Sequence, residues 1–467
     1  MGGVEALRPP TRDELRRAAS WLGGKAGEAW RAGSAALGRN HLRIGITGLS
    51  GAGKSVFTTA LVHALRHGGA HPASMPLLAG ALGPRGWTAT VERLDELAPF
   101  PLARHVEGLT AGPPRWPDPT RELCGLRLRL VRRHRPGDEV VLDIVDYPGE
   151  WLLDLELLEL DYAAWSAAAL ARLGAAGAPC SAAVDAWLAR ARDSASDARA
   201  APGLVEAHGE LLAACAAAGL RHLQPGRLVV PQAGAAEFAP APLPADMAGG
   251  ALHAAMAARF ARYREEVVEP FHRAHFARLD RQVVLFDAIG ALAAGEAVFA
   301  DAGGALEAAL ASFRYRRIPL LDRLRTRIDR VLVLATKADH VTTTQYLNLR
   351  QLVAGRFAGT RWAGAIDEDM LRFDVVAAVR ATQDGWMRRD GAQRAAICGA
   401  LKRPGDLHRM LVPSDVPPEP PAREAWPEGG FVYAEFAPPD LSGHAARPFP
   451  NVNLDKALDL LLGDWLR

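Results

Sequence analysis

The run Gly48-Leu49-Ser50-Gly51-Ala52-Gly53-Lys54-Ser55 constrains this chain more than any other segment. It spells a phosphate-binding loop, and its flanks supply the context that gives such a pattern a mechanism. Leu42-Arg43-Ile44-Gly45-Ile46-Thr47 before it is rich in apolar and β-branched residues and predicts a buried strand. Val56-Phe57-Thr58-Thr59-Ala60-Leu61-Val62-His63-Ala64-Leu65 after it has apolar residues at helical spacing. In a strand–loop–helix unit the glycines let consecutive backbone N–H groups turn toward one centre. The helix N-terminus adds a field that favours anions. Ser50, Gly51, Ala52, Gly53, Lys54, Ser55 and Val56 are the residues placed to hold phosphate. Lys54 can reach the β- and γ-phosphates of a nucleotide, and the Ser55 hydroxyl can ligate Mg²⁺.

Composition narrows the class. A chain of 467 residues can build two or three domains around a large core. Its hydrophobic fraction of 49% and charged fraction of 23% are those of a soluble globular protein. A net charge of +2 gives no electrostatic reason to expect a nucleic-acid partner. Cys124, Cys180, Cys215 and Cys398 are far apart and form no CxxC pair, which argues against a disulfide framework or zinc site and fits a reducing cytoplasm. No apolar run is long enough for a transmembrane helix. Glu5, Arg8, Pro9 and Pro10 stand where a signal peptide needs an apolar core.

Periodicity divides the chain further. An amphipathic helix is expected over 11–37, within an N-terminal segment 1–40, its uses being packing, exchange with a partner or contact with a membrane surface. Residues 67–119 are rich in Gly and Pro and predict irregular structure with short helices, one near 90–97. Leu126, Leu128 and Leu130 alternate with Arg127 and Arg129, the pattern of a half-buried, edge-type strand. After a turn, Glu139–Asp146 reads as a more buried strand and completes a hairpin. Residues 152–280 are alanine-rich and predict an inserted α-helical domain, interrupted by a loop over 225–244. Strands then return at 282–287, 330–335 and 373–378, alternating with helices over 303–313 and 344–357. This is the pattern of a doubly wound α/β domain, built from 41–151 and 281–467. Residues 403–430 are Pro-rich and read as a surface loop, and Leu454–Leu466 as a short amphipathic helix.

Further motifs follow the phosphate loop, each at the C-terminal end of a predicted strand, where open parallel sheets bind ligands. Asp146-Tyr147-Pro148-Gly149 offers a carboxylate for Mg²⁺ and a glycine that lets its backbone N–H approach a γ-phosphate. The alternative is a plain turn. Thr336-Lys337-Ala338-Asp339 offers a carboxylate that can accept from guanine's N1–H and exocyclic amine, with the stem of Lys337 over the base. The alternative is a helix N-cap. Ala377-Ala378-Val379 is a loose match to a turn that gives a backbone N–H to guanine O6, which makes Ala378 and Val379 candidates. Thr120, in Trp116-Pro117-Asp118-Pro119-Thr120, is the candidate threonine whose hydroxyl meets Mg²⁺ when a γ-phosphate is bound, or else a simple cap. Glu150 stands where small GTPases carry a water-orienting glutamine. It is either that group's replacement, implying slow hydrolysis, or a solvated surface carboxylate. Lys54, Thr120, Gly149 and Glu150 are thus the candidate catalytic residues, and Ser55, Thr120 and Asp146 the candidate metal ligands. Arg115 and Arg121 are the candidate arginines for a transition state.

Together these motifs resemble the Ras-like and translation-factor class of P-loop GTPases. Ile46 to Ser55, Asp146-Tyr147-Pro148-Gly149-Glu150-Trp151-Leu152, Thr336-Lys337-Ala338-Asp339-His340-Val341 and Ala378-Val379-Arg380-Ala381-Thr382 are similar to the bacterial YcjX-like family, with the likeness covering nearly all of 40–467. The resemblance implies a P-loop NTPase fold with a Ras-like core and helical insertion. It also implies GTP or GDP with Mg²⁺, a role in stress response, a protein partner, and a cytoplasmic location that extends to the inner membrane through that partner. The family has been described both as ATPase and as GTPase. An ATPase or small-substrate kinase on the same loop is the alternative enzyme, and a scaffold that keeps nucleotide for stability the non-enzymatic one. One feature of the chain agrees with the helical insertion. From Asp146 to Thr336 the chain is far longer than the roughly 50–60 residues that a helix, a strand, a helix and short loops require. A helical insertion could act as a lid over nucleotide, by architectural analogy alone.

Overall fold

The computed structural model describes residues 40–467 except 136, 176–179, 314–327, 358–359, 361, 363–364, 367–369, 390 and 403–407. The helix expected over 11–37 lies outside the described residues.

The central sheet is built from β1 (His41–Gly48), β2 (Trp87–Glu92), β3 (Ala98–Pro99), β4 (Cys124–Arg132), β5 (Glu139–Asp146), β6 (Arg281–Phe286), β7 (Arg330–Ala335) and β8 (Leu371–Val375). The order is β2-β4-β5-β1-β6-β7-β8, with β3 pairing on β4. Strands β5, β1, β6, β7 and β8 are mutually parallel, and β4 runs antiparallel to both β5 and β2. It is a P-loop NTPase fold. The central strands are near-continuous apolar runs because helices cover both faces. The period of two sends alternate residues to opposite sides. Ile44, Ile46, Val283, Leu285, Leu332 and Leu334 point to a core shared with the helices Lys54–Gly68, Pro76–Leu82 and Leu454–Leu466. Val284, Phe286, Val331, Val333 and Ala335 point to the other.

Between β5 and β6 the described chain is helical, including Gly149–Leu153, Tyr162–Ala175, Ser181–Asp193, Ala201–Ala217 and Ala251–Tyr263. Alanine favours helix locally, and the Leu, Trp and Phe residues between the alanines supply the burial. Trp165, Leu204, Met256 and Phe260 join one continuous apolar cluster with the sheet residues Val284 and Val333.

Three local expectations are corrected. Residues 87–92 form strand β2, not part of a short helix. Trp87, Thr88, Thr90 and Val91 are strand formers, and pairing with β4 decides the matter, with Glu92 Oε1 accepting from Arg129 Nε at 2.7 Å. As a result β4 is not an edge strand, and Leu128 and Leu130 are fully buried. Past the first sheet, β9 (Thr382–Arg389), β10 (Ala392–Ala400) and β11 (His408–Leu411) make a separate antiparallel sheet, so the segment read as a loop from 403 contains a strand. Gly391, immediately before β10, has the positive φ of 78° that hairpin turns favour. Among the described residues no helix is long and apolar enough to cross a membrane.

Candidate functional site

The phosphate loop begins where β1 ends. Gly51 and Gly53 have φ of 85° and 79°, a left-handed conformation that glycine adopts without steric cost. The helix Lys54–Gly68 follows directly, and no side chain caps its N-terminus. Its first-turn N–H groups therefore have no side-chain acceptor, an arrangement that suits an anion.

Four side chains converge below the loop. Lys54 Nζ lies 3.0 Å from Asp146 Oδ1, with both residues buried. The pair is not aligned as a hydrogen bond, so Nζ and Oδ1 each keep unmet bonding capacity. The Thr120 hydroxyl donates to Asp146 Oδ2 at 3.0 Å and sits 3.1 Å from Ser55 Oγ. Two hydroxyls and a carboxylate form a hard oxygen donor set that suits Mg²⁺. A buried ammonium with unmet donors suits a phosphate. The residues therefore fit both groups.

Glycine is required at position 149 by close approach. A Cβ there would lie 2.5 Å from Gly48 O and 2.9 Å from Leu49 N. The helix Gly149–Leu153 is thereby pressed against the loop, and Glu150 Oε1 accepts from Ser50 N at 2.9 Å. The reading of Glu150 as a solvated surface group is corrected, since the residue is 5% exposed. Beneath Thr120, burial holds the His105 imidazole below its usual range despite Asp118 and Asp146, and its Nδ1 is 3.1 Å from Thr59 Oγ1. Burial, and next the nearby Asp146, push the Cys124 thiol up.

At the other end, β7 gives way to Thr336, whose N–H donates to Phe286 O at 2.9 Å. Lys337 takes a left-handed φ of 57°, and its Nζ lies 2.5 Å from Asp287 Oδ2. Asp287 also caps the helix Ala288–Ala294 through Gly290 N at 2.8 Å. Asp339 Oδ2 accepts from Ala381 N at 2.6 Å, and Asp339 O from Thr382 Oγ1 at 2.5 Å. Ala378 and Val379 are buried in the core with Leu441 and Phe449. The backbone N–H that meets the Asp339 carboxylate is that of Ala381.

Ser50, Gly51, Ala52, Arg221, Asp287, Lys337 and Glu435 are among the residues that line one pocket of about 200 Å³. A wider cleft of about 1100 Å³ opens beside Thr120, lined by His105, Trp151 and Phe271 among others. Arg121 lies on that cleft. Arg115 gives its backbone N–H to Gly108 O at 2.7 Å. Neither contributes a hydrogen bond to the phosphate loop among the described residues. Sequence reasoning missed two residues that do border the pocket, Asp287 and Arg221. The first ends a buried strand immediately before a helix, an N-cap pattern that was available. The second has no local signal.

Residues 42–466 match the model of the YcjX-like family, DUF463. The chain is 34% identical over 460 residues to a protein of Escherichia coli K12 named Ras-like GTPase YcjX, covering 91% of this chain and 96% of that one. It is 32% identical over 465 residues to a protein of the same name from Shewanella oneidensis, covering 91% and 95%. A match of this extent, on a chain whose phosphate loop, Asp146–Gly149 turn and Thr336–Asp339 turn lie on one sheet, places the protein in the YcjX-like family.

Proposed function

We propose that this protein binds guanine nucleotide with Mg²⁺ and hydrolyses GTP slowly, as a nucleotide-dependent switch. The observation that carries the reading is the convergence of Ser55, Thr120 and Asp146 beside Lys54, since these side chains come from separate elements of the chain. Loop N–H groups and Lys54 hold the phosphates. The Ser55 and Thr120 hydroxyls and Asp146 hold Mg²⁺, which when bound neutralises charge on the β- and γ-phosphates. Gly149 brings a backbone N–H to the γ-phosphate. Glu150 accepts a hydrogen bond from the attacking water, and its negative charge beside the phosphates keeps the rate low. Asp339 reads the guanine base, with Oδ2 steadied by Ala381 N. The names of the two relatives support the guanine assignment. The helices 152–280 form an inserted domain that gates the nucleotide. The family resemblance extends the proposal to a bacterial stress response in the cytoplasm, with a protein partner at the inner membrane.

Calorimetry with GDP, a GTP analogue and ATP on the wild type and on Asp339→Asn tests base reading. Preference for guanine, lost by at least about 100-fold in the variant and inherited by xanthine nucleotides, is the expected result. ATP binding as tight as GDP and indifferent to the substitution would sink it. The cleft of about 1100 Å³ beside Thr120 favours one second reading, phosphoryl transfer to a small acceptor. That reading requires nucleotide turnover without matching release of inorganic phosphate.

A further inference from the structure

The helix Ala201–Ala217 belongs to the long stretch between β5 and β6, yet its C-terminal turn ends at the phosphate loop. Gly219 takes a φ of 101°, and the backbone reverses there, with Gly219 N donating to Ala216 O at 3.1 Å and Leu220 N to Cys215 O at 3.0 Å. This is how a glycine commonly stops a helix. The reversal buries Leu220 and turns Arg221 back toward the nucleotide pocket. A second element fixes the turn. Asp301, on the helix Glu296–Ser312, accepts from Arg221 N at 2.5 Å and from His222 N at 3.1 Å.

The guanidinium is held but not neutralised. Its Nη1 donates to Ala216 O at 3.0 Å and to Leu220 O at 2.9 Å, and its Nε donates to Ser50 O at 3.1 Å. All three acceptors are neutral carbonyls. Among the described residues its Nη2 has no hydrogen-bond partner and no carboxylate pairs with it. Ser50 is thus held on both sides of its backbone, by Glu150 through its N–H and by Arg221 through its carbonyl. An arginine that forms no ion pair among the described residues, with the neighbouring Asp301 carboxylate engaged by two backbone N–H groups, and that is oriented by three carbonyls beside the phosphate loop, is preorganised to receive anionic oxygens.

We infer that Arg221 is the arginine this chain supplies in cis to the transferring phosphoryl group, with Asp301 as its positioning residue. The inference rests on the hydrolysis reading above and replaces Arg115 and Arg121 as candidates. It also gives the helical stretch a chemical task. Displacing that turn from the phosphate loop would remove a positive charge from the reaction.

The test uses the full chain, as wild type, Arg221→Ala, Arg221→Lys and Asp301→Asn, with melting temperature measured for each. Single-turnover GTP hydrolysis with Mg²⁺ gives the chemical step. Arg221→Ala should lower it on the order of 10³-fold, the scale of an arginine finger. GDP affinity should hold within about threefold, so that the loss falls on kcat and not on ground-state binding. Guanidinium chloride at millimolar concentration should restore part of the rate to Arg221→Ala alone. Arg221→Lys keeps the charge and loses the fork, so it should recover little. Asp301→Asn keeps an acceptor oxygen but loses the charge that strengthens both hydrogen bonds to the turn, so it should lower the rate by less than Arg221→Ala while GDP affinity holds, and a rate equal to wild type would remove Asp301 as the positioning residue. An Arg221→Ala rate equal to wild type would overturn the inference. So would lost stability and GDP affinity with kcat intact, which is the signature of a helix-capping role. A wild type that binds GTP but never hydrolyses it would defeat the hydrolysis reading instead. In that case the affinity ratio of GTP analogue to GDP decides the role of Arg221. A fall of about tenfold or more in Arg221→Ala would sustain the phosphate contact, and an unchanged ratio would end it.

Discussion

Ser50 is the residue at which the two sides of the proposed chemistry come within bonding distance of each other. Its N–H is occupied by the Glu150 carboxylate at 2.9 Å, in the part of the loop that an anion would need. A carboxylate there competes with phosphate through both charge and hydrogen bonding. Glu150→Gln keeps the acceptor and removes the charge, and should bind a GTP analogue about tenfold tighter by calorimetry, a gain of about 1.4 kcal/mol. Unchanged affinity would mean that Glu150 moves clear at no cost. At this scale the site was partly legible. Lys54, Ser55 and Asp146 could be named because a glycine-spaced loop and a strand-end carboxylate are local patterns. The burial of Glu150 could not, since it depends on helix Gly149–Leu153 pressing against a loop about one hundred residues earlier. The hydrogen bond from Ala381 N to Asp339 joins two turns far apart in the chain and has no local signal either.

Helix Gly149–Leu153 is joined to the helical stretch by a buried polar cluster one residue beyond its end. Arg227 Nη1 donates to Asp154 Oδ2 at 2.9 Å and to Trp151 O at 3.2 Å, while Tyr263 OH donates to Asp154 Oδ2 at 2.7 Å and Gly226 N to Asp154 Oδ1 at 2.7 Å. The guanidinium also lies over the Trp151 and Phe271 rings at 4.9 and 4.8 Å. Arg227 and Asp154 are both essentially inaccessible to water. Removing one partner strands the other charge, so Asp154→Ala should lose about 3–5 kcal/mol in denaturant unfolding. Replacing both residues by apolar ones of similar volume should cost less, and an equal loss would show that the ion pair is not the cause. Element identity was legible wherever period and length agreed, as in β7 and the helix Leu454–Leu466, whose expected and observed bounds coincide. It failed at β2 and at β9 to β11. Short strands with mixed polarity take their state from a partner strand, which local pattern does not reveal.

At the scale of the whole molecule, several histidines are buried in the neutral form. Burial lowers His208 and His275 to about 4 and His222 to about 3. The unfolded chain takes up these protons first, near pH 6.5, so stability is complete above that value and declines as pH falls toward 4. Urea unfolding should show a slope of up to about 1.4 kcal/mol per pH unit for each histidine in this window. His208→Leu should make the decline shallower, and an unchanged slope would remove His208 from the account. The central strands were legible as continuous apolar runs, which mark strands covered on both faces. The single cluster running from the sheet into the helices 152–280 was not, because which helix lies on which face is a property of the closed structure. Strand β1 ties that closure to the order of synthesis. It sits at the middle of the sheet between β5 and β6, and Arg43 N reaches Asp280, 237 positions further along the chain. At about 5–20 residues per second of synthesis, that partner arrives on the order of 10–50 s later. The last cover, Leu454–Leu466, whose Asp464 grips Arg281 at 2.7 Å, comes later still. A ribosome therefore displays the phosphate loop for that interval on a strand whose β6 side is still unpaired.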